Sequence, residues 1–313
     1  MILKQVIEVM DLLDRPQINE AEITRFFRDK GFRESEIFTE RVKGPEGETL
    51  FLRLTLRSEV PTVAKPPCLG LIGRLGGLGA RPHQLGFVSD ADGALTVLAA
   101  AAQLAEMRKR GESLPGEVII ATHLCPNSPI IPHDPVPFMG APVEMAVMNR
   151  YEVSPEMEAI LSADTTKGNR VINQRGIAIS PTVKEGYILR VSEDLLDIME
   201  RVTGRLPVVF PITTQDITPY GNDLYHLNSI LQPATATTAP VVGLAITSQV
   251  AVPGCGTGAN QPVDIELAAR FAVEVALDFT RGKCRFYDPE EFQRLLKLYG
   301  PMTHLQTLGK KKE

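Results

Sequence analysis

The stretch FVSDADGALTVLAAAAQL, residues 87–104, sets Asp90 and Asp92 one residue apart in front of an alanine-rich run. Carboxylates so placed can hold a divalent cation or a substrate amine, or accept from the free amides at a helix start. Asp92, nearer the apolar run, is the expected N-cap, which leaves Asp90 for chemistry. His83 lies a short way upstream, close enough in sequence to meet Asp90 at one site. His123 and Cys125 stand two residues apart at the end of GEVIIATHL, so their side chains share one face of a strand. A thiolate beside an imidazole is a nucleophile for acyl transfer, which makes Cys125 with His123 or His133 a candidate pair. Arg175, Lys184 and Arg190 are candidates to clamp a substrate carboxylate. The run ITTQDITPYGNDLYH adds Gln215, Asp216, Asn222 and Asp223 for polar recognition of an amino-acid-like ligand.

These residues need elements to position them. Apolar spacing predicts helices over MILKQVIEVMDLLD and INEAEITRFFRDKGF, the first stopped by Pro16 and the second closed by Gly31. SEIFTERVKG and ETLFLRLTLR alternate around PEGE and predict two strands joined by a turn. After a proline-rich connector, CLGLIG predicts a buried strand. Strand, loop and helix then alternate. The helix SDADGALTVLAAAAQLAEMRKRG has an acidic start and a basic last turn, matching the helix dipole. GEVIIATHL is a strand, PEMEAILSADTT a short helix and a strand ending near Asp164, and VSEDLLDIMERVTG a capped helix. LPVVFPIT and APVVGLAIT are strands, followed by helices over VDIELAARFAVEVALDFTRG and DPEEFQRLLKLYG. Such alternation predicts an α/β fold: a three-layer, doubly wound, mostly parallel sheet in one domain over residues 1–313, with a flexible tail from about 303. Ligands bind such sheets at the carboxyl ends of the strands, where the polar and glycine-rich loops of this chain also fall.

Composition narrows the function classes. The chain of 313 residues has a net charge of −5 and is 43% hydrophobic, so no global field favours nucleic acid. No stretch is long and apolar enough to span a bilayer, and no signal-peptide pattern follows Met1. Cys68, Cys125, Cys255 and Cys284 are scattered without CxxC spacing, which excludes a disulfide framework and points to the cytoplasm. GRLGGLG lacks the spacing of a dinucleotide fingerprint, and no Walker lysine follows it.

In the order of these features the chain resembles the co-catalytic di-zinc aminopeptidases and related carboxypeptidase-like hydrolases, including the tetrahedral aminopeptidases. SDADGALTVLAAAAQLAEMRKRGESLPGEVIIAT is similar to their aspartate-helix-strand portion, SADTTKGN to the strand that ends in an aspartate ligand, and QDITPYGNDLYHLNS to a later loop. The likeness runs from about residue 5 to 282. It implies a phosphorylase/hydrolase-like fold and Asp90 and Asp164 as metal ligands, with zinc, manganese or cobalt as the cation. Arg74 stands where the first histidine ligand would be, and is expected to bind substrate instead. LCPN replaces the glutamate pair, and TSQVAVPGCGTG holds no histidine. The centre is therefore expected to be degenerate or rebuilt, with His83, His123 and Cys125 as catalytic candidates and Arg74, Lys184, Gln215, Asn222 and Asp223 as substrate contacts. The expected activity is hydrolysis of a small peptide or amino-acid derivative by a homo-oligomer. The alternatives are a non-catalytic binding protein on a peptidase fold, and a cysteine-dependent amide enzyme using Cys125. The chain also resembles a prokaryotic family of unknown function.

Overall fold

Segments that are apolar without alternation must be buried on both faces, and they form the centre of the sheet. The computed structural model describes residues 1–60, 65–74, 76–212 and 229–307. Its strands are β1 (Ile37–Gly44), β2 (Gly47–Leu56), β3 (Cys68–Gly73), β4 (Glu117–Leu124), β5 (Ile130–Ile131), β6 (Phe138–Met139), β7 (Ala159–Thr166), β8 (Gly176–Ile179), β9 (Val183–Lys184), β10 (Tyr187–Ile188) and β11 (Val241–Thr247). Its helices are α1 (Ile2–Leu13), α2 (Glu20–Lys30), α3 (Asp92–Lys109), α4 (Met145–Glu152), α5 (Glu193–Thr203), α6 (Pro262–Thr280) and α7 (Pro289–Tyr299). Among the described residues one sheet runs β1-β2-β4-β3-β7-β11-β9-β10, with β8 also on β11, and β5 and β6 form a separate small ribbon. β4, β3, β7 and β11 are mutually parallel, and the flanking pairs are antiparallel. The fold is α/β and doubly wound, with a parallel centre and antiparallel margins.

Period-two alternation divides the central strands between two cores. Leu69 and Leu71, Val118 and Ile120, Leu161 and Ala163, and Val242 and Leu244 face the layer of α1, α3 and α6. Cys68 and Ile72, Ile119, Ile160, Val241 and Ala245 face the opposite side, with the 3-10 turn Ser229–Thr235. α3 is buried almost all round, and its alanines at 99–102 let it lie close to both the sheet and α6.

The chain leaves β3 for β4 on one side and returns to β7 on the other, so the strand order reverses at β3. A crevice forms at the carboxyl end of β7, next to this reversal, between the loop after β11 and the turn that leads into α3.

Four local expectations are corrected. PEMEAILSADTT contributes only the strand, with a single turn before it, because Pro155 lies in a tight link in which Met157 N–H donates to Ser154 O. LPVVF forms no strand: Val208–Phe210, held between Pro207 and Pro211, makes one bridge, with Ile179 N–H donating to Val208 O and Phe210 N–H to Ile179 O. The tail is anchored through residue 306, where the Gln306 amide donates to Ala234 O and Thr237 O. Asp92 is not the N-cap. Ala91 holds that position, Asp92 is already helical, and no side chain caps the turn. The Ser192 cap of α5 matches expectation, and Asp288 caps α7 ahead of Pro289.

Candidate functional site

The site begins at the 3-10 turn Ser89–Ala91 that leads into α3. The loop after β11 fastens this turn: Ser89 N–H donates to Gly256 O, Asp90 N–H to Gly254 O, and Ser89 Oγ to Pro253 O. From the other side Thr165 Oγ1, in β7, donates to Ser89 O at 3.0 Å. Held this way, Asp90 faces a small cleft of about 90 Å³ at the end of β7. Its side walls are Pro135–Met139 and Ala251–Val252, and its polar parts are Thr165–Asn169 and Ser229.

Asp90 is 7% exposed, and among the described residues its Oδ2 has no hydrogen-bond partner. Burial drives its carboxyl well above the usual range, and the charges of Asp164 and Asp92 push it further, against a smaller pull from Lys167. Asp164 lies in β7, two residues before the strand ends. Its Oδ1 accepts from Thr165 N–H at 2.7 Å and its Oδ2 from Ser229 Oγ at 3.1 Å. Burial lifts Asp164 to about 7 even though those two donors and Arg74 draw it down. Asp92 is fully buried but satisfied: Lys167 Nζ lies 3.0 Å from one carboxylate oxygen and Asn260 Nδ2 2.6 Å from the other. Asp92 and Lys167 thus balance, whereas burial favours the neutral form of the Asp90 carboxyl unless a cation is bound beside it.

A second polar cluster closes on itself behind the cleft. Arg74 is fully buried, donates to Glu152, and has a second contact to Gln232 Oε1 at 3.2 Å. His123 Nδ1 lies 2.6 Å from Glu152 Oε1. Burial alone would raise the Glu152 carboxyl, but the Arg74 charge and the His123 and Arg74 hydrogen bonds outweigh it and hold it below the usual range.

The structure therefore brings Asp90 and Asp164 together and disperses most other candidates. His83 is an exposed turn residue outside the cleft lining. His123 is committed to Glu152 in the interior. Cys125 is buried beside Asn127, and burial raises its thiol, so the thiolate needed for nucleophilic attack is disfavoured. His133 does line the cleft, stacked on Phe138 with ring centroids 3.8 Å apart. Lys184 donates to Thr238 O and pairs with Glu185 outside the cleft lining. Arg175 pairs with Asp264, and Arg190 with Asp288 and Glu291 on the surface. Arg74 is a buried structural cation, not part of the cleft surface. Gln215, Asp216, Asn222, Asp223 and His226 lie outside the described residues.

Sequence reasoning missed Ser229, Lys167, Asn260 and Glu152. Lys167 had a signal, three residues beyond Asp164 in SADTTKGN. Ser229 and Glu152 had none, because each reaches its partner only through the packing of distant segments. Among the described residues no three His, Cys, Asp or Glu side chains converge as metal ligands. Two carboxylates do not complete the donor set of a zinc site.

Among the described residues no helix is long and apolar enough to cross a membrane. No curated protein matches the sequence. A mutant of tomato leucine aminopeptidase is a similar solved structure, at 14% identity and a TM-score of 0.48 over 87% of this chain and 61% of that one. This chain thus spans about three fifths of that protein's length. The profile of a family of proteins of unknown function, DUF1177, matches residues 40–309, and the chain belongs to that family.

Proposed function

We propose that the chain is a hydrolase of a small peptide or amino-acid derivative whose cationic group rests on Asp90 in the cleft. One observation carries the reading: Asp90 Oδ2 is buried and unpartnered, next to a second buried carboxylate, Asp164. A buried charge without a counter-charge is costly, and a cationic ligand removes that cost. The nearby Lys167 does not serve, because it is bound to Asp92. The ammonium group of an amino acid or peptide has the charge and size for this position. Pro137, Phe138 and Val252 on the walls offer an apolar surface to the rest of such a ligand.

The test is calorimetric titration with amino acids and dipeptides, alongside an assay for released amine. Binding to the wild type should weaken at least tenfold, about 1.4 kcal/mol, in Asp90→Asn. Equal binding by both proteins overturns the reading. Elemental analysis of protein purified without chelators covers the metal expectation. Stoichiometric zinc, manganese or cobalt lost in Asp90→Ala would put a metal cation where the amine is proposed.

A non-catalytic binding protein is the second reading, favoured by the way His123 and Cys125 are turned into the interior. Ligand binding through Asp90 without turnover selects it.

A further inference from the structure

We propose that Ser229 is the nucleophile of the cleft and Asp164 its general base, forming a serine–carboxylate pair that acts without an imidazole. The inference rests on the hydrolase reading above and adds the attacking atom. Ser229 lines the cleft at the start of the 3-10 turn Ser229–Thr235, and its Oγ donates to Asp164 Oδ2 at 3.1 Å. A nucleophile must be within hydrogen-bond reach of its base, and the base must itself be oriented. Thr165 N–H does this by holding the other oxygen of Asp164 at 2.7 Å, so the oxygen facing Ser229 is free to take a proton.

Two further groups complete the constellation. Lys167 lies on the same cleft and carries a positive charge, held at 3.0 Å from Asp92 while Asn260 fixes the other oxygen of Asp92. A fixed cation of this kind stabilises an oxyanion as it forms. Asp90, buried and unpartnered, receives the amine of the substrate.

In the step proposed, Ser229 Oγ bonds to the carbonyl carbon of the substrate amide while its proton passes to Asp164 Oδ2. The carbonyl electron pair moves to oxygen, facing Lys167. Collapse breaks the C–N bond, and the leaving amine takes the proton from Asp164, leaving an ester on Ser229. Water then attacks the ester, giving its proton to Asp164, and the proton returns to Ser229 Oγ as the carboxylic acid leaves.

The test uses the whole chain and a small alkyl fluorophosphonate, which forms a P–O bond to an activated serine with loss of fluoride. Intact-mass and peptide mass spectrometry should show one adduct per chain, on Ser229. Labelling should disappear in Ser229→Ala and slow at least tenfold in Asp164→Asn, with circular dichroism confirming that both variants fold. Absence of an adduct on Ser229 of the wild type overturns the proposal, whatever the variants do. An adduct on another serine alone, or an unchanged rate in folded Asp164→Asn, also overturns it. If Ser229 is unlabelled while Asp90→Asn still abolishes dipeptide binding, the nucleophile is wrong and the amine site stands. If Ser229 is labelled and Asp90→Asn binds as the wild type does, the reverse holds.

Discussion

At the scale of single residues, two buried groups of charged side chains near the cleft have opposite balances. Arg74, Glu152 and His123 satisfy one another inside the protein, behind the end of β3. Such a cluster adds little net stability compared with apolar packing, but removing one partner strands the other charge in the interior. Glu152→Ala should therefore cost about 3–5 kcal/mol, read as a lowered urea midpoint, because Arg74 has no carboxylate to replace it. A midpoint within experimental error of the wild type would show that Arg74 finds solvent or another partner. The Asp90–Asp164 pair is the opposite case: burial raises both carboxyls, and Asp90 Oδ2 has no partner among the described residues.

At the scale of elements, the cleft exists because α3 starts against the ends of two strands. Gly93, in its first turn, makes this possible. A Cβ there would sit 2.7 Å from Ala163 O and 3.0 Å from Arg74 O, both backbone atoms that cannot turn aside. Gly76 plays the same part between the loop after β3 and β4, where a Cβ would fall 1.4 Å from His123 O. Gly93→Ala should push α3 away from β3 and β7 and destabilise the protein by about 1–3 kcal/mol, as overpacking does. Urea denaturation measures the loss. The shift should also part Asp90 from Asp164, so dipeptide binding should weaken by more than the loss of folded protein accounts for.

For the whole molecule, the consequence of concentrating carboxylates in one buried place is a pH-dependent stability. Asp164 titrates near 7 in the folded chain against an ordinary value of 3.8, and burial raises Asp90 and Asp92 as well. A raised carboxyl binds its proton more tightly when folded. Its contribution is therefore complete below the unfolded value and is lost as pH rises through the folded one. Without ligand, stability should fall between about pH 4 and pH 7.5, by on the order of 2–4 kcal/mol from Asp164 alone. Thermal unfolding at pH 5 and pH 8 reads this directly. Asp90→Asn, which removes one of the repelling charges, should show a smaller drop and be the more stable protein at pH 8. A wild-type profile that is flat or rises over this range would contradict the burial of these groups.

What the sequence determined by itself is what local physics can specify. Periods of 3.6 and 2 marked α1, α2, β1 and β2, unbroken apolar runs marked the central strands, and a capping pattern marked the start of α5. The order of buried strands and helices determined the α/β class, the pair of aspartates before an apolar run marked Asp90, and Asp164 entered only through the family resemblance. Only the tertiary structure decided what the other residues do. The spacing of Asp92 before an apolar run reads as a cap, yet Lys167 and Asn260 reach it from segments 75 and 168 residues away and take both its oxygens. His123 and Cys125 look reactive two residues apart in sequence, but burial in and just after β4 commits one to Glu152 and keeps the thiol of the other protonated. The bond of Ser229 to Asp164 joins residues 65 apart in sequence. Hydrogen bonds and desolvation act over a few ångströms in space, so pairings of this kind leave no periodicity along the chain and are decided by packing.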